Sequence, residues 1–409
     1  MGRWPAPPSL DGKPVVWVHA VSLGETKAAE ALIRQLRERL PGVGVIWTSS
    51  TRTGYAEARR QASPEDVALY PPADYPWVCR RFLRRWKPAL VVVMETELWP
   101  NLFREIKRVG AGLVLANGRI SDRSWPRYRR TRFFWKRVLQ YPDAIYAQSP
   151  LDAERFLALG AAPGRVRLGG NLKFALRPSS NPLSEALAAA AGGVGPVLVA
   201  GSTMPGEETH LLEAFLGLRP DFPALWMILA PRHPERAPEI AAQVRAAGIA
   251  CQRRSAWVPG QPVVPGVFLL DSAGELAALY QLADAAFIGG TLVPTGGHNL
   301  LEPAYFSCPT VVGPSLENFR EIAGAFLRAR AVVPVASAEE LAAALRRLFL
   351  NPEEARRLGQ AARTLFETHA GELAPLLDDM EWRLRRAAGA APQSSPVSQP
   401  AAAGLAQGK

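Results

Sequence analysis

Residues 14–36, PVVWVHAVSLGETKAAEALIRQL, join a short run of β-branched residues to a longer stretch with apolar residues at helical spacing. The run PVVWVHA is typical of a strand that is buried on both faces, as strands of parallel sheets are. The second stretch predicts a helix over residues 25–40. A strand that passes directly into a helix is the repeating unit of an open α/β sheet.

The same alternation recurs along the chain. Predicted strands in the first part are PVVWVHA, GVIWTS, ALVVVME, GLVLAN and DAIYAQS, and those in the second part are PVLVAG, ALWMILA, VFLL, AAFIGG and PTVVG. Predicted helices cover residues 25–40, 100–109, 123–139, 207–218, 235–247, 275–282, 299–306, 318–329, 338–348 and 352–386. The sequence therefore predicts two doubly wound α/β domains, whose ligands are expected at the carboxyl ends of the strands.

Composition suggests where the domains end. Residues 176–195 (LRPSSNPLSEALAAAAGGVG) form a loose stretch that we interpret as the boundary. We expect an N-terminal domain over residues 1–176 and a second domain over residues 177–387, whose last helices can return to the first. Residues 388–409 are rich in Ala, Pro, Ser and Gln, which predicts a disordered tail.

Cysteine usage and hydropathy exclude several classes of protein. The three cysteines, Cys79, Cys251 and Cys308, are far apart and form no CxxC motif, so neither a disulfide framework nor a structural zinc is indicated. A reducing cytoplasm fits this pattern. The chain contains no apolar run of about 18 residues and does not start as a signal peptide does.

Positive charge is concentrated in the first half. The net charge is +11, with +14 in residues 1–176 and −3 in residues 177–409. The densest segments are RRFLRRWK (Arg80–Lys87) and RYRRTRFFWKR (Arg127–Arg137), in which aromatic residues alternate with cations. Such segments suit the phosphates of nucleic acid or of an anionic lipid surface, although a solvated helix face has the same composition.

Glu25 stands where the first strand ends and the first helix begins. Ser22 and Glu25 have the spacing of a capping box, in which the glutamate only supports the helix start. Alternatively, Glu25 is a general base at the carboxyl end of a strand. In either case we expect the helix N-terminus to stabilise the carboxylate and to lower its pKa.

Two further strand ends carry charged residues. Glu95 and Glu97 follow the strand VVVM directly, either as part of a site or as acids at a helix start with Thr96 as the N-cap. Arg232 and His233 follow the strand WMILA, between two prolines that stiffen the loop. An arginine in that position can bind a phosphate or a carboxylate through two parallel hydrogen bonds.

The stretch FIGGTLVPTGGHNLLEP (residues 287–303) combines a strand, two glycine pairs and a predicted helix start near Asn299. Glycines let a ligand approach the backbone, and a helix N-terminus offers unpaired N–H groups to an anion. Asn299 and Glu302 share one helix face. We therefore expect a phosphate and a ribose to bind here. The motifs of nicotinamide dehydrogenases, P-loop NTPases and α/β-hydrolases are absent, and no D-x-D pair near a strand end favours metal-chelated diphosphate chemistry.

Several long motifs in one order resemble the 3-deoxy-D-manno-octulosonic acid (Kdo) transferase family, which are GT-B glycosyltransferases of lipopolysaccharide assembly. The motifs are HAVSLGE, ETELWPNL, NGRISDRS, GGNLKFA, LAPRHPER, FIGGTLVPTGGHNLLEP and GPSLENF, between Val15 and Arg386. The resemblance implies a GT-B fold, in which two Rossmann-like domains face each other across a cleft. It also implies an inverting transfer of Kdo from CMP-Kdo to a lipid A precursor, lipid IVA.

The resemblance assigns roles to residues by motif. Glu25 would be the general base, and Glu95 and Lys173 would stabilise the transition state. The residues that would hold CMP are Pro231, Arg232, Ala273, Gly274, Glu275, Asn299, Leu300, Leu301 and Glu302. No metal and no cofactor are expected, because Arg232 and the helix start near Asn299 can bear the charge of the single phosphate.

The family also implies a location. The expected partners are CMP-Kdo, a lipid A precursor and an anionic membrane surface, with no nucleic acid, at the cytoplasmic face of the inner membrane. Members usually begin with an apolar anchor and a basic connector, which are absent from this chain. The alternatives are another GT-B enzyme with a UDP-sugar donor and a basic nucleic-acid-binding protein.

Overall fold

The computed structural model describes Trp4, residues 13–175, residues 177–178 and residues 180–389. The chain divides into two compact units, one of which combines residues 1–176 with residues 369–409, while the other spans residues 177–368. The predicted tail over residues 388–409 lies outside the described residues from residue 390 onward.

The described residues form fourteen strands. They are β1 (Val15–Ala20), β2 (Gly44–Ser49), β3 (Val67–Leu69), β4 (Leu90–Met94), β5 (Gly112–Gly118), β6 (Ala144–Ala147), β7 (Val166–Leu168), β8 (Val197–Thr203), β9 (Trp226–Pro231), β10 (Cys251–Arg253), β11 (Gly266–Leu269), β12 (Ala285–Ile288), β13 (Thr310–Val312) and β14 (Val333–Pro334).

Sixteen α-helices lie in the same part of the chain. They are α1 (Leu23–Arg39), α2 (Arg52–Gln61), α3 (Pro76–Trp86), α4 (Pro100–Arg108), α5 (Trp125–Arg130), α6 (Arg132–Val138), α7 (Pro150–Leu159), α8 (Pro182–Ala190), α9 (Glu207–Leu218), α10 (Ala237–Ala246), α11 (Leu276–Leu279), α12 (Leu301–Tyr305), α13 (Arg320–Arg328), α14 (Ala338–Leu350), α15 (Pro352–Gly371) and α16 (Ala374–Ala387). Short 3₁₀ helices cover Pro163–Arg165, Leu172–Ala175, Pro234–Arg236, Arg254–Ala256, Tyr280–Leu282 and Glu317–Phe319. No helix among these residues has the length and apolar character to cross a membrane.

Each unit contains one seven-stranded parallel sheet. The strand orders are β3-β2-β1-β4-β5-β6-β7 and β10-β11-β9-β8-β12-β13-β14. The order reverses at β1 in the first sheet and at β8 in the second, which makes the carboxyl ends of these two strands the expected ligand positions. The prediction of two doubly wound parallel sheets is confirmed.

All ten predicted strands are present, and the structure adds four that the sequence did not indicate. The added strands β3, β7, β10 and β14 are the four outer strands of the two sheets. Each has two or three residues. An outer strand is paired on one side only, so it needs no long apolar run.

Several helix predictions need correction. The loose stretch 176–195 contains α8, which Asn181 caps by accepting a hydrogen bond from the N–H of Ser184 at 2.8 Å. Helices α2, α3 and α7 were not predicted. The single predicted helices 123–139 and 352–386 are each broken in two.

The C-terminal helix α16 belongs with the first unit. The predicted second domain ran to residue 387, with last helices that can return to the first. Leu376, Leu377, Met380 and Leu384 join a buried core that includes residues of α1 and of β1. Apolar burial against the first sheet therefore fixes the place of α16.

Candidate active site

Glu25 forms the capping box that its spacing predicted. Its Oε2 accepts a hydrogen bond from the Val21 N–H at 2.8 Å, and its Oε1 accepts from the Ser22 N–H at 3.2 Å and the Ser22 hydroxyl at 2.8 Å. The residue is only 6% exposed. Burial raises the pKa of Glu25, and the hydrogen bonds from Val21 and Ser22 oppose the rise without cancelling it. The predicted lowering of this pKa is therefore wrong, because desolvation outweighs the helix start.

Glu95 follows β4 in a left-handed backbone conformation, with φ of 53°. Such a conformation costs a non-glycine residue about 1–3 kcal/mol and is concentrated at functional sites. The alternative with Thr96 as a helix cap is wrong, since α4 begins only at Pro100 with Trp99 as its N-cap. The hydroxyl of Thr96 instead donates to the backbone carbonyl of Arg119.

The charges of Glu25 and Lys173 both act on Glu95. Burial raises the pKa of Glu95, and the charge of Glu25 raises it further, whereas Arg119 and Lys173 lower it. Strands β1 and β4 are neighbours in the sheet, so their carboxyl ends lie side by side. The structure thus brings Glu25 and Glu95 to neighbouring strand ends, and Lys173 lies close enough to Glu95 for its charge to act on that carboxylate.

Asn117 helps to place the segment that carries Lys173. This asparagine lies in β5 with φ of 57°, and its Oδ1 accepts a hydrogen bond from the Leu172 N–H at 3.1 Å. The Lys173 N–H donates to Asn171 Oδ1 at 3.0 Å, and the lysine side chain is exposed. The motifs NGRISDRS and GGNLKFA therefore meet in space.

The sequence did not indicate the aromatic contact between His19 and Trp99. His19 is fully buried, with Nδ1 at 2.9 Å from Thr48 Oγ1 and its ring centroid 4.7 Å from that of Trp99. Burial lowers the pKa of His19 to about 4, so the ring is neutral at physiological pH. Trp99 Nε1 donates to Glu97 Oε2 at 3.0 Å, which fixes the second acid of the ETE motif.

The expected donor residues of the second unit lie after three strands of its sheet. Pro231 ends β9 and Arg232 follows it, residues 273–275 follow β11, and residues 299–302 follow β12. Strands β11, β9, β8 and β12 are consecutive in the sheet. All of these segments therefore leave the same carboxyl edge.

His298 was not among the residues predicted to hold CMP, although it lies within the motif of residues 287–303. It adds a ring nitrogen to this edge of the sheet. Its Nε2 is buried and has no hydrogen-bond partner among the described residues. Burial lowers the pKa of His298, and the positive charges of Arg232 and His233 lower it further. Arg232 itself is exposed. The lowered pKa keeps the His298 ring neutral near pH 7. Arg232 therefore supplies the positive charge at this position, and His298 adds a ring nitrogen that can form a hydrogen bond to an anion.

The turn at residues 273–275 exposes backbone groups that a ligand could contact, whereas the carboxylate of Glu275 is already hydrogen-bonded. Gly274 has φ of 87°, and both Ala273 and Gly274 are exposed. The carboxylate of Glu275 accepts two hydrogen bonds from Arg254, each of 3.2 Å, and one from the Ser272 hydroxyl. Its side chain is therefore already paired within the protein.

The helix at residues 299–302 starts later and is shorter than the predicted helix over residues 299–306. The helix α12 has five residues and begins at Leu301, so the expected anion site at a helix start near Asn299 loses its support. Asn299 Oδ1 accepts from the Leu301 N–H at 3.1 Å, and its Nδ2 donates to Glu302 Oε1 at 3.1 Å. Leu300 and Leu301 are each 1% exposed, so their side chains serve the core.

The backbone at and after the first glycine pair, Gly289 and Gly290, already binds a side chain of the protein. The N–H groups of Gly290, Thr291 and Leu292 donate to the carboxylate of Glu207 at 2.6, 3.0 and 2.9 Å. These three amides are therefore already used within the protein, although the glycines were expected to let a ligand approach the backbone. Over the described residues, no group of three His, Cys, Asp or Glu side chains could hold a metal ion.

The two basic segments differ in what they expose. Phe82 and Trp86 of α3 are buried in the core, so neither side chain can enter a membrane surface. In α6, Phe133 is 76% exposed and Phe134 is 42% exposed, whereas Trp135 packs partly against the core. The exposed cations around them include Arg129, Arg130 and Arg132.

Known proteins resemble the chain along most of its length. Residues 1–176 match the family described as 3-Deoxy-D-manno-octulosonic-acid transferase (kdotransferase), and residues 266–365 match the family Glycosyl transferases group 1. The chain is 33% identical over 375 residues to 3-deoxy-D-manno-octulosonic acid transferase of Haemophilus influenzae, covering 91% of this chain and 87% of that protein. It is 35% identical over 378 residues to the enzyme of the same name from Bordetella pertussis, covering 90% and 86%.

A solved structure supports the fold. A glycosyltransferase from Rickettsia africae matches with a TM-score of 0.55 at 13% identity, over 91% of this chain and 98% of that one. At this identity the match concerns architecture only, and it shows a GT-B-like fold.

Proposed function

The chain belongs to the Kdo transferase family of glycosyltransferases, and we propose that it transfers Kdo from CMP-Kdo to a phosphorylated lipid A precursor. The family resemblance seen in the sequence is confirmed by relatives that match about nine-tenths of the chain. The observation that carries the proposed mechanism is the cluster of Glu25, Glu95 and Lys173 at one sheet edge. A fold alone would not specify a reaction, whereas this cluster supplies a base and two charges.

Glu25 acts as the general base. An ionised carboxylate oxygen can accept two hydrogen bonds. Within the part of the chain that the structure describes, Oε2 of Glu25 accepts one, from Val21. One lone pair therefore remains for the hydroxyl of the acceptor sugar. The raised pKa makes the carboxylate a stronger base than an exposed glutamate.

Glu95 and Lys173 act on the charges that develop during transfer. Their own charges have opposite signs, and the lysine offsets part of the repulsion that Glu25 exerts on Glu95. Inversion at the anomeric carbon needs one base on the face opposite the leaving group, which assigns the proton to one acid only.

The donor binds at the carboxyl edge of the second sheet. Arg232 and His298 face the single phosphate of CMP, and the exposed turn at Ala273 and Gly274 provides backbone groups. Asn299 and Glu302 contribute their side chains, whereas Leu300 and Leu301 shape the site from the core. Pro231 sets the direction in which Arg232 leaves β9.

The membrane is the second partner. We place the enzyme at the cytoplasmic face of the inner membrane, where the exposed cations of α5 and α6 meet anionic lipid and the acceptor phosphates. Phe133 and Phe134 lie beside those cations and can enter the interface.

Two measurements test this function. Mass spectrometry of the product from CMP-Kdo and a tetraacylated lipid A precursor should show the mass of added Kdo. CMP should raise the unfolding temperature of the protein, and UDP should not. A product formed only from a UDP-sugar, with protection by UDP alone, would contradict the proposal.

A further inference from the structure

Glu207 is a buried acid that the proposed reaction does not use. It is the first residue of α9 and is fully buried. Its Oε2 accepts hydrogen bonds from the N–H groups of Met204 at 2.9 Å and Gly290 at 2.6 Å. Its Oε1 accepts from the N–H groups of Thr291 at 3.0 Å and Leu292 at 2.9 Å. One carboxylate therefore holds the backbone of the loop that follows β12.

The chemistry of these contacts suits the ionised form. All four hydrogen bonds come from backbone N–H donors, which a carboxylate oxygen accepts and a carboxylic O–H group cannot. A glutamine at this position would direct its NH₂ group at two N–H donors. The site is thus an anion-binding nest of backbone amides, of the kind that holds phosphates, filled by the protein's own carboxylate.

Gly290 links this carboxylate to the donor residues. The carbonyl of Gly290 accepts hydrogen bonds from the Gly297 N–H at 2.8 Å and the Thr295 hydroxyl at 3.1 Å. A Cβ added to Gly290 would lie 3.0 Å from Cδ2 and 3.2 Å from Nε2 of His298. The position of Gly290 therefore determines where Gly297 and His298 lie.

We propose that Glu207 is a positioning residue of the donor site, an internal anion that fixes the loop at residues 290–297 before CMP-Kdo arrives. The inference rests on the proposed function, in that the donor is taken to bind at His298 and Asn299. With the loop already ordered, binding does not have to order it, which favours affinity.

The neighbouring residue provides a matched control. Glu208 is 1% exposed, and its carboxylate accepts hydrogen bonds from Arg236 at 2.9 and 3.2 Å and from Thr203 at 2.9 Å. It lies on the same helix, carries the same charge and is buried to the same degree. Its contacts include none of the amides at residues 290–292.

The test compares E207Q, E207D and E208Q by titration calorimetry with CMP and by steady-state kinetics. We expect E207Q to bind CMP at least about tenfold more weakly and to raise the donor KM similarly, since hydrogen bonds to a charged group are lost. The acceptor KM should not change. E207D keeps the charge and should retain more affinity than E207Q, whereas E208Q should lose stability but bind CMP as the wild type does.

Hydrogen exchange of the wild-type protein tests the same inference and does not depend on whether the variants fold. The amides of Gly290, Thr291 and Leu292 should exchange slowly before CMP is added. Fast exchange there that slows only with CMP would overturn the inference, as would equal CMP affinity in E207Q and the wild type. If the wild type did not bind CMP at all, the proposed function would fail and this inference with it.

Discussion

Glu25 and Glu207 occupy matching places in the two units and use their carboxylates differently. Each lies in the first turn of the helix that follows the central strand, β1 or β8, where the strand order reverses. Each is buried, and burial raises the pKa of both. Among the described residues, only Val21 and Ser22 donate hydrogen bonds to the carboxylate of Glu25. Three of the four donors to Glu207 come from residues 83 to 85 positions later.

The number and origin of the donors decide what each acid can do. Each oxygen of Glu207 accepts two N–H groups, so no lone pair remains to take a proton. Oε2 of Glu25 accepts one, which leaves room for a substrate hydroxyl. The same residue type at the same topological position is thus available for catalysis in one unit and fixes a loop in the other.

The largest effect should follow the loss of the Glu25 charge. We expect E25Q to reduce the rate of transfer by about 10²–10⁴-fold, the usual cost of removing a general base, with CMP affinity unchanged. The measurement is the initial rate of Kdo transfer at saturating donor, paired with calorimetric CMP binding.

The matched control for E25Q is E340Q. Ser337 and Glu340 repeat the spacing of Ser22 and Glu25, with Oε2 of Glu340 accepting from the Ala336 N–H at 2.8 Å and Ser337 capping α14. E340Q should cost only the stability of a helix start and should leave the rate intact. If E25Q retained more than half of the activity, Glu25 would be a capping residue and not the general base. Glu25 and Glu207 would then both have structural roles.

A smaller effect should come from changes in the basic surface formed by the exposed arginines of α5 and α6. These changes should affect use of the acceptor and leave binding of the donor unchanged. Replacing Arg129, Arg130 and Arg132 by glutamate should raise the acceptor KM about tenfold or more, because each cation contributes roughly 1 kcal/mol on an anionic surface. CMP affinity should not change. Sedimentation with anionic vesicles should weaken in the variant, and in the wild type as salt increases.

The control for that surface reverses an equal number of exposed arginines elsewhere, at Arg328, Arg356 and Arg357 of the second unit. The net charge then changes equally in both variants. Equal losses of vesicle binding would mean that overall charge, and not this surface, holds the lipid. Equal sedimentation of the wild type with neutral and anionic vesicles would also contradict the proposal.

The sequence predicted those features whose causes are local. The inner strands are continuous apolar runs, and the Ser22–Glu25 capping box is a pattern of four residues, so both were found. The role of Glu207 depends on amides more than eighty residues away, and no local pattern indicates it. Leu300 and Leu301 were assigned to the donor by motif, and only packing shows that their side chains are buried.

The pKa of Glu25 was predicted with the wrong sign for a related reason. A helix start is visible in sequence, whereas the desolvation that outweighs it depends on how the chain packs around the carboxylate. Glu95 shows the same limit, because its left-handed backbone cannot be inferred from the letters ETE.

The smallest effect concerns pH and tests whether Glu25 is tuned by its neighbours. Burial is the main cause of its raised pKa, and the negative charge of Glu97 adds to it. The base must be ionised, so activity is present above this pKa and is lost as the pH falls through it. E97Q removes the like charge and should therefore shift the acid limb of the pH–rate profile to lower pH.

W99F is the control, because it removes the hydrogen bond that Trp99 donates to Glu97 and keeps the charge. Its acid limb should therefore stay in place. An acid limb that does not move in E97Q, or that moves to higher pH, would show that the charge of Glu97 does not act on the base.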